Sequence, residues 1–241
     1  MRIVFSFVLI TISGCCSLPC YGQDIVRGGM HWSSLEQDLV LPSDFSIQFQ
    51  LHHRWISGGT HHLIAPRING IFGINEHLSV TAGITYFGNA RTYSDRQTQL
   101  QSEIRPHQGI GHHFQFGKAQ FSQRLLCEER TFLETGSERV ERFFIRLRYR
   151  TSLSLKLWSR QDKSWDFKWF NEVMFNTAHS HTQRAFDQNR IFAGIAYHFN
   201  RQLSMDLGYM YWVQQPVNSQ KHIHFDIIRI GLKHALNLNS Q

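Results

Sequence analysis

The sequence has few cysteines, and three of its four lie within the first 20 residues, at Cys15, Cys16 and Cys20. If the start of the chain is removed during export, Cys127 alone remains. A single cysteine excludes an intramolecular disulfide framework. It also argues against the class of small secreted proteins whose folds are held by several disulfide bridges.

The chain also has little charge and no long apolar segment beyond its start. Charged residues make up 18% of the sequence and aromatic residues 13%, and this combination argues against intrinsic disorder. No stretch after residue 22 is apolar for long enough to cross a bilayer as a helix, and no apolar stripe with a helical period is sustained. A membrane protein with this sequence must therefore cross with strands.

The first 22 residues predict an export signal. Arg2 gives the start a positive charge, and residues 3–12 form a mostly apolar run about half as long as a membrane-spanning helix. Small residues at the first and third positions of Cys20-Tyr21-Gly22 predict cleavage after Gly22, so that the mature chain begins at Gln23. The sequence thus divides into a signal peptide, residues 1–22, and one exported domain, residues 23–241.

A second interpretation of the same segment stays open. Ile12-Ser13-Gly14-Cys15 resembles a lipobox, which would leave a lipidated Cys15 at the mature N-terminus. We favour cleavage after Gly22, because a protein that crosses the membrane with its own strands needs no lipid anchor.

Alternation of apolar and polar residues dominates the rest of the chain, and a period of two predicts β-strands. In residues 78–86, for example, Leu78, Val80 and Ile84 share one face, opposite Ser79 and Thr81. The segments with this pattern are residues 45–51, 78–86, 142–150, 191–199 and 203–211, with weaker ones near 62–74, 103–115, 119–131, 165–175 and 223–236. Residues 32–39 are ambiguous.

The connections between these segments alternate in length. Three are tight, namely Asn75-Glu76-His77, Phe116-Gly117-Lys118 and Asn200-Arg201-Gln202, whereas residues 88–101, 132–140, 177–188 and 213–222 are long and polar. Short turns at one end and long loops at the other are typical of bacterial outer-membrane barrels. The predicted fold is all-β, a closed antiparallel up-and-down transmembrane barrel. Because both termini of such barrels lie in the periplasm, we expect an even strand number: ten, or twelve if residues 30–39 and one further segment are strands.

The charge pattern separates a membrane barrel from a soluble one. In residues 142–150, Phe143 and Leu147 lie on the face opposite Arg146, Arg148 and Arg150, and Ile145 and Tyr149 extend the apolar face. An arginine that faces lipid at the midplane costs roughly 2–4 kcal/mol, so these arginines are expected to face the lumen. A soluble lipocalin-like barrel would reverse the two faces and stays an alternative, since periodicity does not distinguish inside from outside.

Aromatic residues near the predicted strand ends favour the membrane. They are Trp55, Tyr86, Phe87, Phe132, Trp158, Trp165, Tyr211 and Trp212. Membrane barrels carry such residues in girdles at the two interfaces. Together with the export signal and the unequal loops, they predict a barrel in the outer membrane.

An ordered set of short features extends along the whole chain. In order, these are Trp32-Ser33-Ser34-Leu35, Arg54, Glu103-Ile104-Arg105, Arg124 with Glu128 and Arg130, Arg146-Leu147-Arg148-Tyr149-Arg150, Asn171-Glu172, Asn189-Arg190, Leu207-Gly208-Tyr209 and Arg229-Ile230-Gly231-Leu232. In this order they resemble a family of uncharacterised outer-membrane β-barrels of Gram-negative bacteria, known only as a domain of unknown function. The resemblance implies a barrel in the outer membrane and brings no activity with it. The chain departs from common barrels at its end, which lacks a terminal aromatic residue.

The inward-facing positions of the predicted strands carry more bases than acids. The bases are Arg54, Arg67, Arg105, Arg124, Arg130, Arg142, Arg146, Arg148, Arg150, Lys168, Arg190 and Arg229, and the acids are Glu103, Glu128, Asp166, Glu172 and Asp206. The candidate site is the charge cluster of Arg105, Arg124, Glu128, Arg130, Arg146, Arg148, Glu172 and Arg190.

Two interpretations of this cluster follow. The favoured one is a lumen plugged by arginine–carboxylate pairs, in which Glu128 and Glu172 bind arginines drawn from Arg124, Arg130, Arg146 and Arg148. The other is a basic passage that prefers anions, since the bases are in excess.

Metal binding and nucleic-acid binding fit the residues less well. Paired histidines occur at His52-His53, His61-His62, His179 with His181 and His222 with His224. Such clusters could bind a transition metal, but no carboxylate or cysteine completes a tetrahedral set, and we predict no metal site. The bases alternate along strands and form no surface patch, so we expect no nucleic-acid partner.

Ser180, between His179 and His181, is the densest candidate for a nucleophile beside a base. Adjacent residues on a strand point to opposite faces, so the triplet does not itself form a Ser–His pair. We therefore expect no enzyme, and keep an outer-membrane lipid hydrolase as the alternative.

The expected function is a structural or passive small-solute barrel, anion-preferring and without a cofactor, whose partners are outer-membrane lipid and the barrel assembly machinery. The oligomeric state stays open.

Overall fold

The alternation in the sequence forms strands along most of the chain. The computed structural model describes residues 25–56, 61–92, 98–134, 141–178, 185–215 and 221–238. Within these ranges the strands are β1 (Ile25–Val40), β2 (Phe45–Ile56), β3 (His61–Gly73), β4 (Leu78–Thr92), β5 (Thr98–Phe116), β6 (Ala119–Glu134), β7 (Glu141–Arg160), β8 (Lys163–Ala178), β9 (Phe186–His198), β10 (Leu203–Gln214) and β11 (His222–Asn237). This part of the chain contains no helix long and apolar enough to cross a membrane. The predicted signal peptide and the alternative lipidation site at Cys15 lie outside the described residues.

Each strand pairs antiparallel with the next, and the sheet closes on itself. The closing pair is β1 with β11, which run parallel from Ile25 opposite His222 to Val40 opposite Asn237. The predicted fold class, an all-β closed up-and-down barrel, is confirmed. The expectation of an even strand number is wrong for the described ranges, in which eleven strands close the barrel. The expectation of an even number assumed that both termini of the barrel lie at the same end. In the structure β1 begins at the end with the long connections, whereas β11 finishes at the end with the tight turns.

The first strand is ambiguous in the sequence because the polarity of residues 30–34 is reversed, whereas Leu35 is exposed and Glu36 lines the lumen cavity. Met30 and Trp32 point inward and are buried, whereas His31 and Ser33 point outward and are exposed. A lipid-facing strand normally shows the opposite arrangement. Residues 30–39 nevertheless form part of β1, and the reversed alternation at their start explains why the sequence did not predict this strand clearly.

Two tight turns are missing from the sequence-based prediction, and β7 is twice as long as the segment that predicted it. The turns are residues 41–44 and Gln161-Asp162. Ser43, Asp44 and Gln161 adopt φ values of 73°, 56° and 53°, a left-handed conformation for which glycine is the usual signal. Neither turn contains glycine. Pro42-Ser43-Asp44 has the residue types of a turn, whereas Gln161-Asp162 carries no comparable signal.

The outer surface of the barrel is a belt of apolar side chains. Phe143 is 49% exposed and Leu147 37%, whereas Arg146 and Arg148 on the same strand are 1% and 6% exposed. Arg150 also points inward, where it donates a hydrogen bond to Glu172. The predicted faces of this strand are confirmed for these residues. The soluble alternative is wrong, since it requires the apolar face inside.

A small apolar cluster lies inside the barrel, where the alternation in the sequence predicted polar residues. It consists of Met30, Trp32, Phe170, Phe192, Met210, Trp212 and Ile227. The ring of Phe192 passes so close to Gly208 that a Cβ there would lie 2.6 Å from it, and this close approach requires glycine. Trp212 and Phe87, expected at the membrane interface, are buried in the lumen.

Candidate functional site

Glu128 on β6 binds two arginines of the neighbouring strand β7. Arg146 lies opposite Glu128 in the sheet register, and its Nε donates to Glu128 Oε2 at 2.7 Å. Arg148 Nη1 donates to Glu128 Oε1 at 3.1 Å. Glu128 and Arg146 are each 1% exposed. These are charge-assisted hydrogen bonds between fully buried groups, as the plugged-lumen interpretation predicts.

Glu172 on β8 lies among four arginines in the described part of the lumen. Arg150 Nε donates to Glu172 Oε1 at 2.6 Å, and Arg148 Nε lies 2.7 Å from the same oxygen. Arg190 Nη1 is 3.5 Å from Oε2, and Arg124 Nη2 is 4.0 Å from Oε1. One buried carboxylate therefore holds guanidinium groups from three strands.

The predicted partners of Glu128 and Glu172 are correct for Arg124, Arg146 and Arg148 and wrong for Arg130. Arg130 Nε donates to Glu103 Oε1 at 2.6 Å, and Arg105 binds both carboxylate oxygens of Glu103. The register places Glu103 opposite Phe132, two residues beyond Arg130. Glu103 on β5 is thus the nearer carboxylate, so Arg130 reaches across the β5–β6 pair and not toward β7.

Asp187 completes this network, although it falls within residues 177–188, which the sequence predicted to be a loop. It accepts a hydrogen bond from Arg146 Nη1 at 2.9 Å and lies 3.8 Å from Arg130 Nη1. The pairing of β8 with β9 shifts register between Met174 and Phe175, and Asp187 has no partner there. Such a β-bulge turns two consecutive side chains to one face, and both Asp187 and Gln188 are buried. Simple alternation cannot find a bulge residue.

Two arginines of the lumen have no carboxylate within 4.0 Å among the described residues. Arg67 Nε donates to Thr85 Oγ1 at 2.7 Å. The guanidinium of Arg54 lies 3.7 Å from the ring centre of Trp32, a cation–π contact. The positive charge of the lumen is therefore only partly neutralised.

The turn end of the lumen carries separate ion pairs. Lys233 Nζ lies 2.5 Å from Glu36 and 2.6 Å from Asp38, which joins β11 to β1 across the parallel pair. Arg229 Nη1 donates to Asp206 Oδ2 at 2.8 Å. The Lys233 pairs stabilise the closure of the barrel between β1 and β11, whereas Arg229 and Asp206 join β11 to β10.

A cavity of about 370 Å³ lies inside the barrel. Among the described residues, eleven arginines and lysines line it, against two acids, Glu36 and Asp206. Glu128 and Glu172 do not line it, although their arginine partners do. The cavity wall therefore has a larger excess of bases over acids than the lumen as a whole, because buried carboxylates lie behind the wall.

The structure places the paired histidines in different surroundings. His53 and His62 stack across the β2–β3 hairpin at 5.8 Å between ring centres, whereas His52 points inward beside Trp32. In the described ranges no three histidine, cysteine, aspartate or glutamate side chains are placed to hold a metal ion. The triplet His179-Ser180-His181 and the side chain of Arg142 lie outside the described residues.

Comparison with known proteins places the chain in a family. A crystal structure of the NanC porin is similar to it, with a TM-score of 0.56 and 11% sequence identity over 87% of this chain and 98% of the porin. This likeness concerns the fold. No curated protein matches the sequence. The model of an uncharacterised family, Protein of unknown function (DUF2490), matches residues 30–222. The chain therefore belongs to the DUF2490 family, and its fold is that of an outer-membrane β-barrel.

Proposed function

We propose that this protein is a passive barrel of the outer membrane whose narrow lumen admits small anions. The observation that carries the proposal is the lining of the cavity by eleven arginines and lysines against two acids among the described residues. Rings of arginine and lysine are the usual means by which pores prefer anions. The similar fold of a protein described as a porin fits a passive passage.

The buried ion pairs explain why the passage stays basic. Arginine does not lose its proton in proteins, so the guanidinium groups of the wall keep their charge. The carboxylates of Glu128, Glu172 and Glu103 lie behind these groups, where they hold the side chains in place. The network thus narrows the lumen and fixes its positive groups at the same time. We infer selection of small solutes by charge.

The apolar belt and the lumen together define the expected surroundings of the protein. The belt contacts outer-membrane lipid, and assembly requires the barrel assembly machinery. The proposed function needs no cofactor, no nucleic acid and no catalytic step. We also propose export by cleavage after Gly22.

The test is the zero-current potential of the purified, refolded protein in a planar bilayer under a potassium chloride gradient. We expect a zero-current potential whose sign shows that chloride crosses the barrel more readily than potassium. Arg67→Gln and Arg124→Gln should shift the potential toward zero, because each removes one incompletely neutralised charge from the wall. Arg201→Gln is the control, since Arg201 lies on an exposed turn with 89% of its side chain in solvent. A folded protein without conductance would contradict the passage and favour a permanently plugged lumen.

A further inference from the structure

Two arginines and two tryptophans form a compact group in the lumen. The guanidinium of Arg54 lies 3.7 Å from the ring centre of Trp32 and 5.6 Å from that of Trp212. The guanidinium of Arg190 lies 4.6 Å from Trp212 and 5.4 Å from Trp32. Each of the four residues is more than nine-tenths buried. Trp32, Arg54 and Arg190 line the cavity.

This group contains hydrogen-bond donors without acceptors. The Nε atoms of Arg54 and Arg190 and the Nε1 atom of Trp212 are buried, and none of the three has an acceptor among the described residues. Arg54 also has no carboxylate partner there, and Arg190 reaches Glu172 only at 3.5 Å. Buried donors and buried charges in native proteins are nearly always satisfied. Three unsatisfied donors around two cations therefore indicate that an acceptor with negative charge belongs here.

We propose that Trp32, Arg54, Arg190 and Trp212 form a binding site for an oxyanion, either a carboxylate or a phosphoryl group. The proposal rests on the proposed passage, because the ligand must reach the cavity from outside. Stacking on the tryptophan rings holds the guanidinium planes in place. Arg190 Nη2 donates to Gln188 Oε1 at 2.7 Å, so Arg54 offers the free edge of N–H groups and Arg190 adds its Nε–H. The fork of N–H groups on such an edge matches the paired oxygens of a carboxylate or a phosphate better than a spherical halide.

Binding is measured on the folded protein in detergent, by titration with acetate, inorganic phosphate or chloride at constant ionic strength. Tryptophan fluorescence is the readout, since Trp32 and Trp212 contact the two arginines. We expect saturable changes with at least one oxyanion and none with chloride. The stronger of acetate and phosphate identifies the group as carboxylate or phosphoryl. Saturation with neither of them, or equal saturation with chloride, would overturn the proposal.

The variants separate this site from the general charge of the lumen. Arg54→Gln should weaken oxyanion binding about tenfold or more, the usual effect of losing a charged hydrogen bond. Arg67→Gln is the matched control, since Arg67 also lines the cavity and lacks a carboxylate, but its Nε already donates to Thr85. We expect this control to bind within about twofold of the parent protein. Equal losses in both variants would overturn the site.

A second variant keeps the test decisive if Arg54→Gln does not fold. Trp212→Phe retains a ring but removes the unsatisfied Nε1–H, and we expect about threefold weaker binding. The temperature at which the folded form loses its faster gel mobility should not change. Unchanged binding in Trp212→Phe contradicts the site. Conductance distinguishes the two proposals: an anion-selective barrel that binds no oxyanion refutes the site alone, whereas a non-conducting barrel that binds one refutes the passage alone.

Discussion

Glu172 is the residue on which the positive charge of the lumen converges. It is fully buried, and guanidinium groups from β6, β7 and β9 lie within 4.0 Å of its carboxylate. The alternation of β8 placed Glu172 in the lumen, and the arginine-rich strand beside it suggested its partners. The sequence could show this much because both features follow from a period of two within single strands.

Glu172→Gln should lower the stability of the barrel by about 3–5 kcal/mol, because the amide leaves buried arginines without a negative partner. The measurement is the temperature at which the folded form loses its faster gel mobility. Glu76→Gln is the control, since Glu76 is exposed on a turn and should change little. Equal behaviour of the two variants would mean that the lumen charges are solvated and not paired.

Asp187 shows where residue-by-residue prediction stops. Its side chain is buried against Arg146, yet its odd position matches the outward face of β9. Only the bulge beside Phe175 turns it inward, and a bulge depends on the pairing of two strands, which the sequence of one strand does not contain.

Asp187→Asn should destabilise the barrel by about 1–3 kcal/mol, the usual effect of weakening a hydrogen bond to a charged group. The loss should be smaller than that of Glu172→Gln, because Arg146 keeps Glu128 as a partner. Urea unfolding in detergent measures the difference. The exposed Asp162→Asn serves for comparison. A larger effect at Asp162 would refute the assignment of Asp187 to the buried network.

At the scale of the strand, the apolar belt decides which face meets lipid. Leu207 lies near the middle of β10 and is 53% exposed, beside Ile195 on β9 and Ile230 on β11. Strands of this kind were predictable, because their apolar face alternates without interruption. β1 was not, since in residues 30–34 methionine and tryptophan point into the lumen and polar residues point out.

Leu207→Arg should cost roughly 2–4 kcal/mol if this position faces the hydrocarbon near its midplane. Folding into liposomes, followed by gel mobility, measures the loss. Phe116→Arg is the control, because Phe116 is 80% exposed beside the turn at Gly117, at the end of β5, and an arginine near a membrane interface costs only about 0–1 kcal/mol. If Leu207→Arg folds as well as the control, the belt does not contact lipid.

At the scale of the whole molecule, the lumen depends on how the barrel closes. The parallel pair of β1 and β11 brings Trp32 of β1 opposite Arg229 of β11, and β1 in turn pairs with β2, which carries Arg54. A different closing pair would separate Trp32 and Arg54 from Trp212 and Arg190. The sequence predicted a closed barrel but not a parallel closing pair, because an even number of strands would make the first and last strands antiparallel.

Oxidative cross-linking across β1 and β11 tests this closure most directly. Ser33 and Ile230 are register partners on the outer face, so Ser33→Cys with Ile230→Cys, in a Cys127→Ser background, should form a disulfide in the folded protein. Ser34→Cys with Ile230→Cys should not, because Ser34 points into the lumen. Mass spectrometry of the cross-linked peptides reads the result. Cross-linking of the first pair alone is the predicted outcome, whereas no cross-link, or equal cross-linking of both pairs, would contradict a barrel closed by β1 and β11.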